Sequence, residues 1–231
     1  MPVILSIETA TKACSVSISK DYELISVVEE VGDGYSHAEN LSVFIEKALA
    51  ESKMSYRDLN AIAISKGPGS YTGLRIGTST AKGLCYALDI PLVSVDTLQA
   101  MAYGVSSINN VGSDTLLCPM IDARRMEVYS AFFDAKNVSI RKTKADIIDE
   151  NSYIEYLDKS EVIFFGDGAA KCKDTLSTHQ NAKFIGDLHP SAQYLNSIAT
   201  SKFKAQQFEN TAYFEPYYLK DFVAGKPKKL V

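Results

Sequence analysis

Residues 65–77 read SKGPGSYTGLRIG, and the rest of the chain is best understood outward from them. An apolar run, Ala61-Ile62-Ala63-Ile64, leads in, and a helical pattern of small residues leads out. Gly67, Pro68, Gly69 and Gly73 crowd a strand–turn–helix junction, the place where α/β proteins receive phosphates or partners. The usual phosphate motifs do not fit. A Walker loop ends in Gly-Lys-Ser/Thr, whereas Gly73 precedes Leu74 and Arg75. The dinucleotide fingerprint places its last glycine one residue nearer than Gly69 and Gly73 allow. Ser70 lacks the G-x-S-x-G frame of a nucleophile elbow. The loop formed by Gly67, Pro68, Gly69, Ser70, Thr72 and Gly73 is therefore a distinct element.

Downstream, Gly73, Gly77, Ala81, Leu84 and Leu88 recur at helical spacing, with Thr80, Gly83 and Ala87 on a neighbouring flank. Glycine inside a helix costs about 1 kcal/mol relative to alanine, so two of them call for a close neighbour. Two readings stand for the Gly77 flank: packing inside the molecule, or a subunit interface.

The 231 residues suit one compact unit or two small lobes, with 46% hydrophobic and 23% charged residues. A net charge of −4 offers no global attraction for nucleic acid. The lysines at 226, 228 and 229 read as a solvated tail, with RNA contact as the alternative. Cys14, Cys85, Cys118 and Cys172 are widely spaced among apolar neighbours, as buried free thiols are in a reducing compartment. No apolar run is long enough to span a bilayer and no leader precedes the first strand, which points to the cytoplasm.

Residues 3–8 read as a strand ending in Glu8, followed by the turn Thr9-Ala10-Thr11-Lys12 and strands over 14–19 and 22–31. Such a turn can wrap a phosphate, or Thr9 and Thr11 can simply satisfy its own backbone. A helix starts at Ser36-His37-Ala38-Glu39, with Ser36 as N-cap and Ala38, Leu41, Ile45, Ala48 and Leu49 as its apolar stripe beside Phe44. His37 is either a base or an ordinary helix-start residue. A strand follows over 91–95, then a helix capped by Asp96 or Thr97 and ending near Gly104. The polar stretch 106–114 reads as a linker, dividing the chain into lobes at 1–105 and 106–231.

Beyond the linker the opening recurs. Ile121-Asp122 ends an apolar strand and a strand over 128–134 follows, as Ile7-Glu8 is followed by its own hairpin. That places a duplicated lobe on each side, with Glu8 and Asp122 facing one cleft. A helix near 152–157, a strand over 162–165, the turn Gly166-Asp167-Gly168, a helix from Ala169 towards His179 and another from 190 or 191 complete the second half. The aromatic stretch 214–220 reads as a packed return segment, since no basic residues interleave with it. His37, His179 and His189 lack the spacing of a helix-borne metal pair.

SKGPGSYTGLRIG, ILSIETATKACSVSI, SHAENL, PLVSVDTL, IDARRMEVY, GDGA and PYYLK together resemble the TsaB (YeaZ) family over most of the chain. The resemblance implies the two-lobed α/β fold of the actin, sugar-kinase and heat-shock-protein (ASKHA) superfamily, with duplicated βββαβα-type lobes. It implies that Glu8, Thr9, Thr11 and Asp122 occupy the two phosphate-hairpin positions, and Gly166, Asp167 and Gly168 the adenosine-side turn. The family serves synthesis of threonylcarbamoyladenosine in tRNA, as non-catalytic partner of the transferase TsaD and recruiter of the ATPase TsaE. Where the paralogous transferase has H-x-x-x-H, this chain has Thr97 and Met101, which removes the metal ligands and undercuts the "glycoprotease" label. Glu8 in place of Asp, and Arg124 and Arg125 at the second hairpin, speak against ATP hydrolysis by the chain alone, leaving ATP or ADP at a shared interface open. On this reading Leu41, Phe44, Ile45, Ala48, Gly77, Thr80, Ala81 and Leu84 form a helical face. That face pairs with the transferase, or with a second copy when the chain is alone, and tRNA is met through the complex. The competing reading is an ATP-dependent phosphotransferase or ATPase working through Glu8 and Asp122.

Overall fold

The computed structural model describes residues 1–32, 37–108, 111–186 and 188–220. The N-cap expected at Ser36 and the tail lysines Lys226, Lys228 and Lys229 lie outside the described residues. Strands β1 (Val3–Glu8), β2 (Ala13–Lys20) and β3 (Glu23–Val31) form an antiparallel meander, and β4 (Ala61–Ser65) and β5 (Leu92–Val95) extend it in parallel, in the order β3-β2-β1-β4-β5. The second half repeats this plan. Strands β6 (Leu116–Asp122), β7 (Glu127–Phe133) and β8 (Ser139–Ile147) are antiparallel, and β9 (Val162–Phe165) and β10 (Ala182–Phe184) run parallel to β6, in the order β10-β9-β6-β7-β8. The duplication inferred from two short motifs is thus a duplication of sheet topology.

Helices α1 (His37–Ser52), α2 (Tyr71–Leu88) and α3 (Thr97–Ile108) belong to the first half, and α4 (Ile154–Leu157), α5 (Ala169–Leu176) and α6 (Asn196–Lys204) to the second. All six residues of β1 are buried because helices cover both faces of the sheet. Leu5 and Ile7 meet Leu41, Ile45, Ala48 and Ala81 of α1 and α2 on one side. On the other, Ile4 meets Ala100 of α3 with Leu195 and Ala199, so α6 packs on the first sheet although it comes from the second half. Helix α3 makes the reciprocal crossing, placing Leu98, Met101, Ala102 and Val105 against Leu117, Ile121 and Phe133. The sequence division at 105/106 therefore separates the sheets but not the helices that pack on them.

Several local expectations need correction. Ala38 is exposed, and its place in the stripe is taken by buried His37. Gly104 does not end α3; its missing side chain leaves room for the Tyr194 ring, which a Cβ would meet at 2.7 Å. Helix α5 stops at Leu176, short of His179. Strands β8 and β10 were not foreseen, since β8 is an edge strand exposed along most of its length and β10 has three residues. The four cysteines are free and buried, and no helix among the described residues is long and apolar enough to cross a membrane.

Candidate functional site

The hairpin of β1 and β2 carries Glu8, Thr9 and Thr11, the residues expected at the first phosphate-hairpin position, and the glycine loop sits directly on its turn. The Ser70 N–H donates to Ala10 O at 2.6 Å. A Cβ added at Gly69 would lie 2.3 Å from Ala10 O, one at Gly73 2.2 Å from Thr9 O, and one at Gly77 2.3 Å from Thr9 Oγ1. Three glycines at four-residue spacing thus form one groove in the loop and α2 that receives residues 9 and 10. This overturns the interface reading of Gly77: its close neighbour is Thr9 of the same chain. Opposite, the His37 Nε2–H donates to Thr11 O at 2.7 Å, so His37 clamps the turn rather than serving as a base, and burial lowers its pKa.

Glu8 is sealed beneath this contact, with none of its surface exposed. Its Oε1 accepts the Ala10 N–H at 2.6 Å. Burial pushes its carboxyl up to about 7, against the opposing pull of the Ala10 and Thr9 amides and the Ser65 hydroxyl. Below it, Ser65 and Thr97 share a 2.5 Å hydrogen bond and Thr97 Oγ1 accepts the Gly67 N–H at 3.1 Å. Thr97 is therefore a strut for the loop, and Met101 is a core residue near Gly166.

The second lobe repeats the device. Gly67 and Gly166 follow equivalent strands, and both adopt left-handed φ, 110° and 99°. A Cβ on Gly166 would stand 2.3 Å from Met120 O, and the Gly168 N–H donates to that carbonyl at 3.1 Å. Asp167 Oδ1 accepts the Asp122 N–H at 3.0 Å, so Gly166, Asp167, Gly168 and Asp122 are brought together. The Asp122 side chain, half exposed, pairs with Lys171 of α5. Glu8 and Asp122 consequently do not face one cleft: the first is enclosed and the second is held by a lysine. Lys171 went unnoticed in the sequence; it lies four residues after Asp167, on the same helical face as the turn it serves.

These contacts test the fit to a nucleotide. A phosphate on the first hairpin needs free backbone N–H groups and space, yet the Ala10 N–H is taken by Glu8, the Ala13 N–H by Thr11 Oγ1 at 3.3 Å, and the space by the loop and α2. The first hairpin does not fit the group. An interlobe cavity of about 280 Å³ is lined by Lys66, Asp96, Gln99, Ser139, Lys142 and Tyr217 among others, and its lining includes neither Glu8 nor Asp122.

The return segment bridges the lobes. Phe214 enters the first core, the Tyr217 N–H donates to Lys66 O at 2.7 Å, and Tyr218 meets Tyr71 with ring centroids 4.9 Å apart. Lys220 then reaches the second hairpin, donating to Ala123 O at 3.4 Å and pairing with Glu127.

Of the expected partner face, Leu41, Ile45, Ala48, Gly77 and Ala81 are buried in the lobe's own core and are not available as a surface. Phe44, Thr80 and Leu84 remain half-buried. The outward side of α2 instead carries Thr72, Arg75, Ser79, Gly83 and Tyr86, and that of α1 carries Val43; Tyr86 is 90% and Val43 59% exposed.

A family model described as "TsaD: tRNA N6-adenosine threonylcarbamoyltransferase" matches residues 34–231. The chain is 32% identical over 228 residues to the tRNA threonylcarbamoyladenosine biosynthesis protein TsaB of Escherichia coli (strain K12), covering 96% of both chains. Among solved structures, YeaZ from Pseudomonas aeruginosa aligns with a TM-score of 0.77 at 23% identity, over 95% of this chain and 100% of that one. The activator of the 2-hydroxyisocaproyl-CoA dehydratase from Clostridium difficile, with bound ADPNP, aligns with a TM-score of 0.50 at 11% identity, over 89% and 96%. With the duplicated sheets, these likenesses show the two-lobed ASKHA fold.

Proposed function

This chain belongs to the TsaB/YeaZ family, and from that premise we propose that it serves tRNA threonylcarbamoyladenosine biosynthesis as a non-catalytic subunit. It binds a TsaD-like transferase and helps recruit a TsaE-like ATPase; alone, it pairs with a second copy. The observation that carries this reading is the seating of the glycine loop and α2 on Thr9 and Ala10. Residues that would receive phosphate in an ATP-using relative of the fold are here spent on holding the lobe together. What the lobe offers outward is the other side of the same helix pair.

The partner face is therefore reassigned to Val43, Phe44, Thr80, Gly83, Leu84 and Tyr86. A large exposed tyrosine beside a glycine with open space above it suits a partner helix that approaches the backbone closely, with the aromatic ring as anchor.

The test is a tRNA threonylcarbamoylation assay with purified partners, with this chain present or omitted. Omission stops turnover on this reading, and the chain alone leaves ATP intact. Substantial ATP turnover by the isolated chain, abolished by Glu8→Ala, establishes the competing phosphotransferase reading instead.

A further inference from the structure

The tip of the β6–β7 hairpin is built from Arg124, Arg125 and Met126, bracketed by the Ala123 N–H donating to Glu127 O at 3.1 Å and the Glu127 N–H donating to Arg124 O at 3.2 Å. Both arginines are in the left-handed region, with φ of 68° and 45°. Two consecutive residues with positive φ in a tight hairpin favour glycine or asparagine, because an L side chain there crowds its own backbone. The strained positions instead hold two long cations. Neither guanidinium makes an ion pair or hydrogen bond with a described residue, and both residues are exposed. Among the described residues the hydrogen bonds of Arg124 are made by its backbone, whose N–H donates to Asp122 Oδ1 at 2.9 Å, and neither long side chain is used by the fold.

The surroundings are arranged to the same end. Asp122 and Glu127, which flank the tip, are each engaged by a lysine: Lys171 pairs with Asp122 and donates to Glu127 O at 2.7 Å, and Lys220 pairs with Glu127. Asp167, the third acid at the turn, points its carboxylate inward to the Asp122 N–H. Asp122, Glu127 and Asp167 are thus each turned to an internal partner, while the arginines are left outward. Guanidinium pairs with phosphate through two parallel N–H donors, which suits a pair of them on a projecting turn to a repeating phosphate backbone.

We propose that this hairpin tip is a contact for the phosphate backbone of tRNA. The inference rests on the function proposed above, and it gives an acidic chain a local cationic handle on that substrate. The contact positions the RNA without reading its bases.

The experiment measures binding of an unmodified tRNA transcript to the assembled complex, by fluorescence anisotropy over a range of salt concentrations, for wild type and the double variant Arg124→Gly/Arg125→Gly. Glycine accepts the backbone of both positions, so the variant melts at or above the wild-type temperature. The dissociation constant rises about tenfold and the slope of log Kd against log salt becomes shallower by about 2. An unchanged affinity and slope overturn the proposal. So does loss of complex assembly with intact tRNA binding, which makes the tip a protein contact, or a change confined to ATP binding. Failure of the broader reading registers separately, as undiminished tRNA modification when the wild-type chain is omitted.

Discussion

Thr9 Oγ1 lies 2.3 Å from the point that a Cβ on Gly77 would occupy, so the first hairpin and α2 are locked together through an absent side chain. Gly83, six residues on along the same helix, has nothing within 4 Å of its own Cβ position. Gly77→Ala is expected to cost about 1–3 kcal/mol by forcing the hairpin away from the helix. Gly83→Ala should stabilise the isolated chain by up to about 1 kcal/mol through helix propensity alone. Paired urea denaturation curves check both, and equal effects at the two positions sink the groove interpretation.

Glu8 has no cationic partner among the described residues, and its pKa of about 7 in the folded chain stands above the ordinary value of 4.5. A carboxyl raised on folding stabilises the protein while protonated, so its contribution is full below about pH 4.5 and is lost as pH rises to about 7. The difference amounts to about 3 kcal/mol as an upper bound. Glu8→Gln should remove this part of the pH dependence and raise the melting temperature relative to wild type at pH 8. Parallel melting curves from pH 5 to 8 would show it; a variant that melts lower than wild type at pH 8 refutes the assignment.

The buried and exposed sides of α1 and α2 are separable. Tyr86→Ala is expected to weaken association with the transferase about tenfold or more while leaving the melting temperature unchanged. Leu41→Ala, from the same helix pair but in the core, should cost about 2–5 kcal/mol of stability. Light scattering for assembly and calorimetry for stability distinguish the two. Full assembly by Tyr86→Ala would return the search to other surfaces.

The return segment gives a further contrast. Phe214 is buried in the first core and is expected to cost about 3–5 kcal/mol when truncated to alanine. Its neighbour Tyr213, 83% exposed, should tolerate the same change within about 0.5 kcal/mol. Guanidinium titrations of the two variants settle whether the segment is an anchored part of the lobe.

The sequence by itself determined the elements whose signals are local. Continuous apolar runs announced β1, β4 and β9, because strands covered on both faces need no polar alternation. The repeat of strand, acid and hairpin around Glu8 and Asp122 announced the two lobes. Glycines at 69, 73 and 77 announced a close approach to the loop and α2.

Only the tertiary structure decided what makes that approach. A missing Cβ records that something must come near, but carries no information on whether it arrives from a partner or from a turn some sixty residues upstream in the same chain. The stripe Leu41, Ile45, Ala48 and Ala81 raised the same ambiguity, since a core face and a partner face have the same periodicity. Strand β8 escaped notice for the converse reason. Its side chains are largely solvated, and it is a strand because its backbone pairs with β7, an interaction between segments rather than a property of either. Glu8 and Asp122 look equivalent as residues, and their different fates follow from what surrounds them. One is enclosed with no cation paired to it among the described residues, and the other meets a lysine carried on a helix that only the fold brings alongside.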